Sequence, residues 1–310
     1  MLGADIPMTL PAFTAQFGTE DQCREYLMRQ RWPDGFRCPR CGCRRRWCLA
    51  RRPILVCASC QYHCSLTAGT VMQGTRKPLR HWFLAMYLLI ASKRSISATE
   101  LARHLGCSYQ TAWAWLHKLR GTMADPDAAL LTGLVEVDEG YAGGEGEGRM
   151  GRGCKNKMLV VCAAERRGKR ATGRIRLDTP ANAGSAQLGQ FIHRSVRAGS
   201  RVHTDGWRGY VGMDWAQYDH RVTVSKYADE DAHTVFPCVH RVFSLVKRML
   251  LGTFHGSVRV QHLKAYLDEF AFRFNRRRDP RPMRMFEHLA ACAVSQRCRT
   301  YRQIVAHSTA

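Results

Sequence analysis

Two short knuckles, "CPRC" (Cys38, Cys41) and "CASC" (Cys57, Cys60), constrain this chain more than any other feature. Together they read C-x2-C-x15-C-x2-C. Four thiolates at this spacing can converge on one tetrahedral zinc, with a short hairpin joining the two pairs. The implied Zn2+ is structural, because four thiolates leave no open position for water. Cys43, Cys48 and Cys64 are spare thiols that can exchange into the set. Arginines in "CRRRW" and "ARRP" suit a site set against phosphate. A base-deaminase zinc site is excluded, since no H-x-E precedes a P-C-x-x-C.

Charge points the same way. Of 310 residues, 48 are Lys or Arg and 25 Asp or Glu, a net charge of +23. An excess of this size indicates a polyanionic partner, most often nucleic acid. The basic residues are spread through every region ("RRRW", "ERRGKR", "NRRRDPRPMR"), so no basic tail accounts for them. The longest apolar run, Trp82–Ala91, is too short to span a bilayer. No secretory leader pattern opens the chain. Fourteen cysteines without that pattern fit a reducing compartment. The expectation is a cytoplasmic, nucleoid-associated protein without a membrane partner.

The pattern divides the chain. Residues 1–35 hold one short amphipathic helix within 12–34, opened by a threonine and acidic residues. Residues 36–72 form the zinc ribbon, 73–123 a helical segment, and 124–133 ("ADPDAALLTG") a linker. Residues 134–285 follow an α/β order of three strands, a helix, a strand and then helices. Residues 286–310 read as a C-terminal tail.

"SATELARHLGCSYQTAWAWLHKLR" has the layout of a helix-turn-helix. Leu101 and Leu105 stripe the first helix, Gly106 allows the turn, and Ser108 caps the second. Ala112, Leu116 and Leu119 face the core. Tyr109, Gln110, Thr111 and Trp113, with Lys118 further on, then line a recognition helix for duplex DNA. An ordinary helical hairpin is the plain alternative.

In "VEVDEGY", Val135 and Val137 fall on one strand face and Glu136 and Asp138 on the other. Asp138 is expected at the strand's end, just before a glycine loop, where a carboxylate can meet a cleft. "VHTDGWRGY" repeats the arrangement with Asp205. If the two strands are neighbours, the aspartates can share divalent cations suited to phosphoryl transfer. Near the end, "FPCVHRVFSLVKRMLLGTFHG" is an amphipathic helix over 238–251. Val239, Val242, Phe243, Val246 and Leu250 make its apolar stripe, and His240 and Lys247 share the polar face. Two turns separate them by roughly 10 Å, too far to bind one ion. A solvated polar face is the plain reading of that side.

These segments resemble, almost end to end, the zinc-ribbon insertion-sequence transposases of the ISXO-like group. The resemblance rests on "RCPRCGC…CASCQYHCSLTAGTVMQGTRKPL", "VEVDEGYAGG", "HTDGWRGY" and "CVHRVFSLVKRMLLGTFHG…HLKAYLDEFAFRFNRR". It implies a zinc ribbon and helix-turn-helix before a ribonuclease H-like catalytic core, a mixed sheet with flanking helices. There two aspartates and a third residue hold two Mg2+ (or Mn2+) ions. Carried over by position, Asp138 is the first acid, Asp205 the second, and Lys247 the lysine that meets the DNA end. His240 stands where many relatives have glutamate. Some relatives have histidine there with an asparagine two residues before the lysine, and here that place is Leu245. The third ligand is therefore open between His240 and water.

The resemblance implies a DDE-type transposase that nicks DNA at element ends, releases a 3′-hydroxyl and directs it at a target phosphodiester. Joining two ends implies a homodimer or higher oligomer on double-stranded DNA. The alternative is a catalytically inactive or domesticated DNA-binding copy. A ribonuclease H-like nuclease on RNA fits the duplex-reading segment less well.

Overall fold

In the computed structural model the described residues are 9–49, 54–92, 94–124, 128–143, 157–168, 171–224, 232–256, 258–279, 281, 283–296 and 299–306. They fall into two compact units, Met1–Met123 with Arg278–Thr309, and Ala124–Arg277.

The first unit opens with two helices where the sequence suggests one, α1 (Leu10–Phe17) and α2 (Glu20–Arg31). Thr19 separates them. Its hydroxyl accepts from the Gln22 amide, and the Gln22 side chain accepts from the Thr19 amide, a reciprocal cap. Glu20 and Asp21 in the first turn and Arg29 and Arg31 in the last complement the helix dipole. Three short strands follow as an antiparallel ribbon in the order β1 (Arg46–Cys48), β2 (Ile54–Cys57), β3 (His63–Ser65). Helix α3 (Leu79–Ala91) is buried on most sides, with Trp82 stacked on Trp115 at 3.9 Å. Helices α4 (Ala98–Leu105) and α5 (Tyr109–Gly121) are joined through Gly106, at φ 57° and ψ 45°. That left-handed turn favours glycine. Ser108 caps α5 by accepting from the Thr111 amide, and Leu101, Leu105, Ala112, Leu116 and Leu119 are buried as their spacing predicts.

The second unit is a five-stranded mixed sheet. Its strands are β4 (Leu134–Gly143), β5 (Lys157–Arg167), β6 (Ala171–Asp178), β7 (Arg201–Thr204) and β8 (Asp219–Val222), in the order β6-β5-β4-β7-β8. The β4–β5 and β5–β6 pairs are antiparallel, and β4–β7 and β7–β8 are parallel. Helix α6 (Ser185–Ser195) precedes β7 and covers one face, burying Leu188, Phe191 and Ile192 against Val135, Val137, Val161 and Val202. The other face carries α8 (Pro237–Phe254) and α9 (Leu263–Arg276), reached through the short α7 (Ala232–Val235). There Val239, Val242, Val246 and Leu250 of α8 pack with Val160, Cys162 and Ala164 of β5. The apolar stripe of α8 is thus the one its sequence indicates. Edge strand β8, mostly exposed and reading "DHRV", carries no apolar alternation to announce it.

Described residues of the expected linker and tail pack into the two units. Leu131 bridges Val196 and is buried with the α6 side of the sheet. The last helices, α10 (Arg284–Ser295) and α11 (Tyr301–Val305), belong to the first unit. Phe286, Leu289, Ala290 and Ala293 bury the inner stripe of α10. The Phe286 ring lies 5.5 Å from those of Phe13 and Phe17 and 5.8 Å from Phe83. The Val71 amide donates to the Ala293 carbonyl at 3.0 Å. Residues 284–295 therefore complete a core begun near the N-terminus.

Phe286→Ala should lower the unfolding free energy of the first unit by about 3–5 kcal/mol. Chemical denaturation checks this, and a loss under about 1 kcal/mol would contradict the placement of α10.

Candidate metal centre

Two groups of side chains gather metal-type donors among the described residues. In the ribbon, Cys38, Cys41, Cys57 and Cys60 bring their sulfurs within 4.8 Å of one another. Cys38 and Cys60 sulfurs are 3.6 Å apart, and those of Cys41 and Cys57 3.5 Å. Four thiolates about 2.3 Å from a tetrahedral zinc stand roughly 3.8 Å from each other, so the set fits that ion. Both knuckles sit at turns that the hairpin brings together. The spare thiols are engaged elsewhere: Cys43 donates to the Arg45 carbonyl, Cys48 accepts from Arg46, and Cys64 is buried.

The second group lies in the other unit and comprises Asp138, Glu139 and Asp205, with carboxylate oxygens within 4.8 Å of one another. Register explains it. The parallel pairing of β4 and β7 runs from Leu134↔Arg201 to Val137↔Thr204. The next residue on each strand is an aspartate, so Asp138 and Asp205 emerge side by side where β7 stops. Open α/β sheets bind ligands at this position, outside the carboxyl ends of parallel strands. Asp138 is not at the end of its own strand, as the sequence suggests. β4 continues to Gly143, held by antiparallel pairing with β5 in which Asp138 opposes Cys162. The glycine loop expected beyond it lies outside the described residues from 144 onward.

Local bonds fix each acid. The Glu139 amide donates to Asp138 Oδ1 at 2.8 Å, and the Trp207 amide donates to Asp205 Oδ1 at 3.0 Å. The Trp207 indole donates to the Ala183 carbonyl. Gly209 lies so close to that carbonyl that any Cβ would collide with it. Tyr210, fully buried, donates its hydroxyl to Glu139 Oε2 at 2.8 Å. Glu139 and Tyr210 are missing from the sequence-derived set. The signal for Glu139 was the adjacent "DE", and for Tyr210 the last letter of "DGWRGY".

The electrostatics are those of crowded, partly buried carboxylates. Burial first, then the neighbouring Glu139 and Asp205 carboxylates, push Asp138 up from 3.8 to about 7. Burial and Glu139 also push the Tyr210 phenol well above its usual range. A hard divalent cation takes carboxylate oxygens and would relieve this repulsion, so the donors present fit Mg2+ or Mn2+.

His240 is not part of the gathered group. It sits half-buried on the first turns of α8, and Lys247 is exposed two turns later. In the first unit, Tyr109 and Gln110 are exposed on the first turn of α5, whereas Trp113 and Lys118 are half-buried. The Trp113 ring packs against His117 at 4.2 Å and Tyr301 at 6.1 Å, and Thr111 shares a hydrogen bond with the Ser108 hydroxyl.

Both groups fall within segments that match known protein families. Residues 130–275 match the ISXO2-like transposase domain, and residues 18–63 match the transposase zinc-ribbon domain. The first match contains all three clustered acids, and the second all four clustered cysteines. The chain is also 27% identical to an uncharacterized protein in transposable element ISH50 of Halobacterium salinarum, over 83% of this chain and 91% of the relative. No helix among the described residues is long and apolar enough to cross a membrane.

The raised Asp138 carries a stability signature. Between about pH 4 and 7 the folded chain holds a proton that the unfolded chain has released, so stability falls as pH rises through that window. Without divalent cation, the wild-type thermal midpoint should fall by at least about 5 °C relative to Asp138→Asn between pH 5 and 7. Parallel curves for the two proteins would contradict the assigned cause.

Proposed function

We propose that this chain, which belongs to the ISXO2-like zinc-ribbon transposases, cuts and rejoins the DNA ends of an insertion sequence at the Asp138–Glu139–Asp205 cluster. The observation that carries the reading is the register of β4 against β7, which sets two aspartates side by side at the sheet's open end. The core is read as ribonuclease H-like, a reading supported by its strand order and by helices on both faces.

Asp138 and Asp205 would hold two divalent cations, with Glu139 as a third carboxylate. Bound there, such cations polarise a scissile phosphate and lower the pKa of an attacking water or 3′-hydroxyl. Tyr210 orients Glu139 by its hydrogen bond, and the Trp207 and Glu139 amides keep the aspartate oxygens aimed. His240 offers a nitrogen donor from α8, and a nitrogen shifts metal preference toward Mn2+. Lys247, exposed further along the helix, is a cation for the phosphate of the DNA end.

The ribbon and the α4–α5 pair would bind element DNA, with α5 as the recognition helix of a helix-turn-helix. Tyr109 and Gln110 are its exposed leading residues, so they are the base-edge candidates, ahead of Trp113 and Lys118. The net charge of +23 suits the phosphate backbone. Joining two ends at one target requires at least two copies of the chain on DNA.

Labelled duplexes from the flanks of the coding sequence test this. Wild type should nick them with Mn2+ and with Mg2+, and Asp205→Ala should lose at least about a hundredfold, roughly 2.7 kcal/mol of barrier. His240→Glu should narrow the gap between the two ions. Binding without cleavage by wild type would instead support a DNA-binding copy that has lost catalysis, and cleavage unchanged in Asp205→Ala would refute the site.

A further inference from the structure

Glu136 stands two residues before Asp138 on β4, and its side chain is fully buried. A buried carboxylate is costly unless it is bonded and paired. Its Oε2 accepts from the amides of Cys238 at 2.8 Å and Val239 at 3.1 Å. Those are first-turn amides of α8, a helix whose own N-cap residue, Phe236, makes no side-chain cap. Four amides at a helix start lack intrahelical partners, and the dipole there favours negative charge. Glu136 therefore caps α8 from another element, across 102 residues of sequence. Its other oxygen, Oε1, makes no hydrogen bond and faces Arg166 Nη1 at 3.6 Å. Arg166 is on β5, so the charge is balanced from within the sheet.

Strand alternation puts residues 136, 138 and 140 on the α8 side of β4. The second attachment is at Gly140, where an added Cβ would stand 3.4 Å from the Phe243 ring. Glu136 thus grips α8 at residues 238–239, and Gly140 receives it at 243. Asp138 lies between these two attachments, and His240 lies between 239 and 243. By interpolation between these attachments, the turn of α8 that bears His240 falls at the level of Asp138.

We infer that Glu136 is a positioning residue of the metal centre. Its buried carboxylate ties the N-terminus of α8 to the strand that carries Asp138, and so sets where His240 and Lys247 stand relative to the acids. The interaction is directional. Two N–H donors converge on one oxygen, a directional restraint added to the non-directional packing of the apolar stripe. A displacement of about 1 Å at a reacting centre can reduce rate on the order of a hundredfold. The inference rests on the metal reading above and adds a residue that neither ligates nor meets substrate.

The test compares the zinc-loaded full chain with Glu136→Leu and Glu136→Gln. Leucine keeps the volume and removes both acceptors, and glutamine keeps an acceptor oxygen. Two readouts are taken with Mn2+ as probe: residue-resolved amide exchange along α8, and the 14N histidine coupling of bound Mn2+ in pulsed EPR. In Glu136→Leu, the Cys238 and Val239 amides should exchange at least about tenfold faster than in wild type. The rest of α8 should change little, and Mn2+ should still bind with its 14N coupling lost or weakened. Glu136→Gln should restore both. Unchanged exchange at 238–239 in Glu136→Leu would overturn the inference, as would equal loss of protection along the whole helix in both variants. If wild type binds Mn2+ without 14N coupling, His240 is not a ligand and that part of the function reading fails. In that case faster exchange at 238–239 with no change in metal-dependent cleavage would reduce Glu136 to a helix cap and overturn the inference.

Discussion

Pairing of β4 with β7 is the constraint on which the rest of the second unit depends. Four residue pairs, from Leu134↔Arg201 to Val137↔Thr204, are enough to bring Asp138 beside Asp205. A parallel pair cannot be closed by a tight turn and needs a long crossover. Here the crossover contains β5, β6 and α6, and each has a second use. β5 extends β4 past the end of β7, β6 closes the antiparallel edge, and α6 buries the face behind Val135 and Val137. A register slip of one residue would turn the apolar set of β4 to the wrong face. The buried valines thus defend the geometry of the acids.

Carboxylate repulsion and helix capping divide the remaining work. Three acids within 4.8 Å of one another form an arrangement that burial makes unfavourable, and the strain appears as an Asp138 that holds its proton to about pH 7. Sheet pairing and hydrogen bonds from Tyr210 and the Trp207 amide hold the cluster together all the same. Glu136 resolves its own burial differently, by accepting from a helix start and facing an arginine. Alternate carboxylates on one strand are thus put to two uses. The first secures α8, and the second stands with Glu139 and Asp205 where β7 stops.

The parts of this legible in the sequence are those set by short-range spacing. Two CxxC pairs name the four cysteines that gather, because that geometry is written in the knuckles themselves. The α8 stripe and the Ser108 cap follow from a 3.6-residue period and a single side chain. What escaped depends on contacts distant in sequence. Residues 286–310 look like a tail until Phe286 meets Phe13 and Phe17. Asp138 seems to end its strand until β5 is seen to carry β4 onward. Strict alternation assigns Glu139 to the face opposite Asp138. Beyond Val137, however, β4 has no β7 beside it, and both side chains reach Asp205 at that edge. The distance of His240 from the acids is likewise not written in the sequence, because helix periodicity cannot fix how far a helix stands from a sheet.

The central claim is that the acids at the β4–β7 edge form a divalent-cation site. Crystals of the full chain grown with Mn2+ test it most directly, with anomalous data collected at the manganese and zinc edges. The account predicts one or two manganese peaks about 2.2 Å from oxygens of Asp138 and Asp205, with a zinc peak among the four cysteines. A zinc peak in the ribbon with no manganese peak at those carboxylates would contradict it.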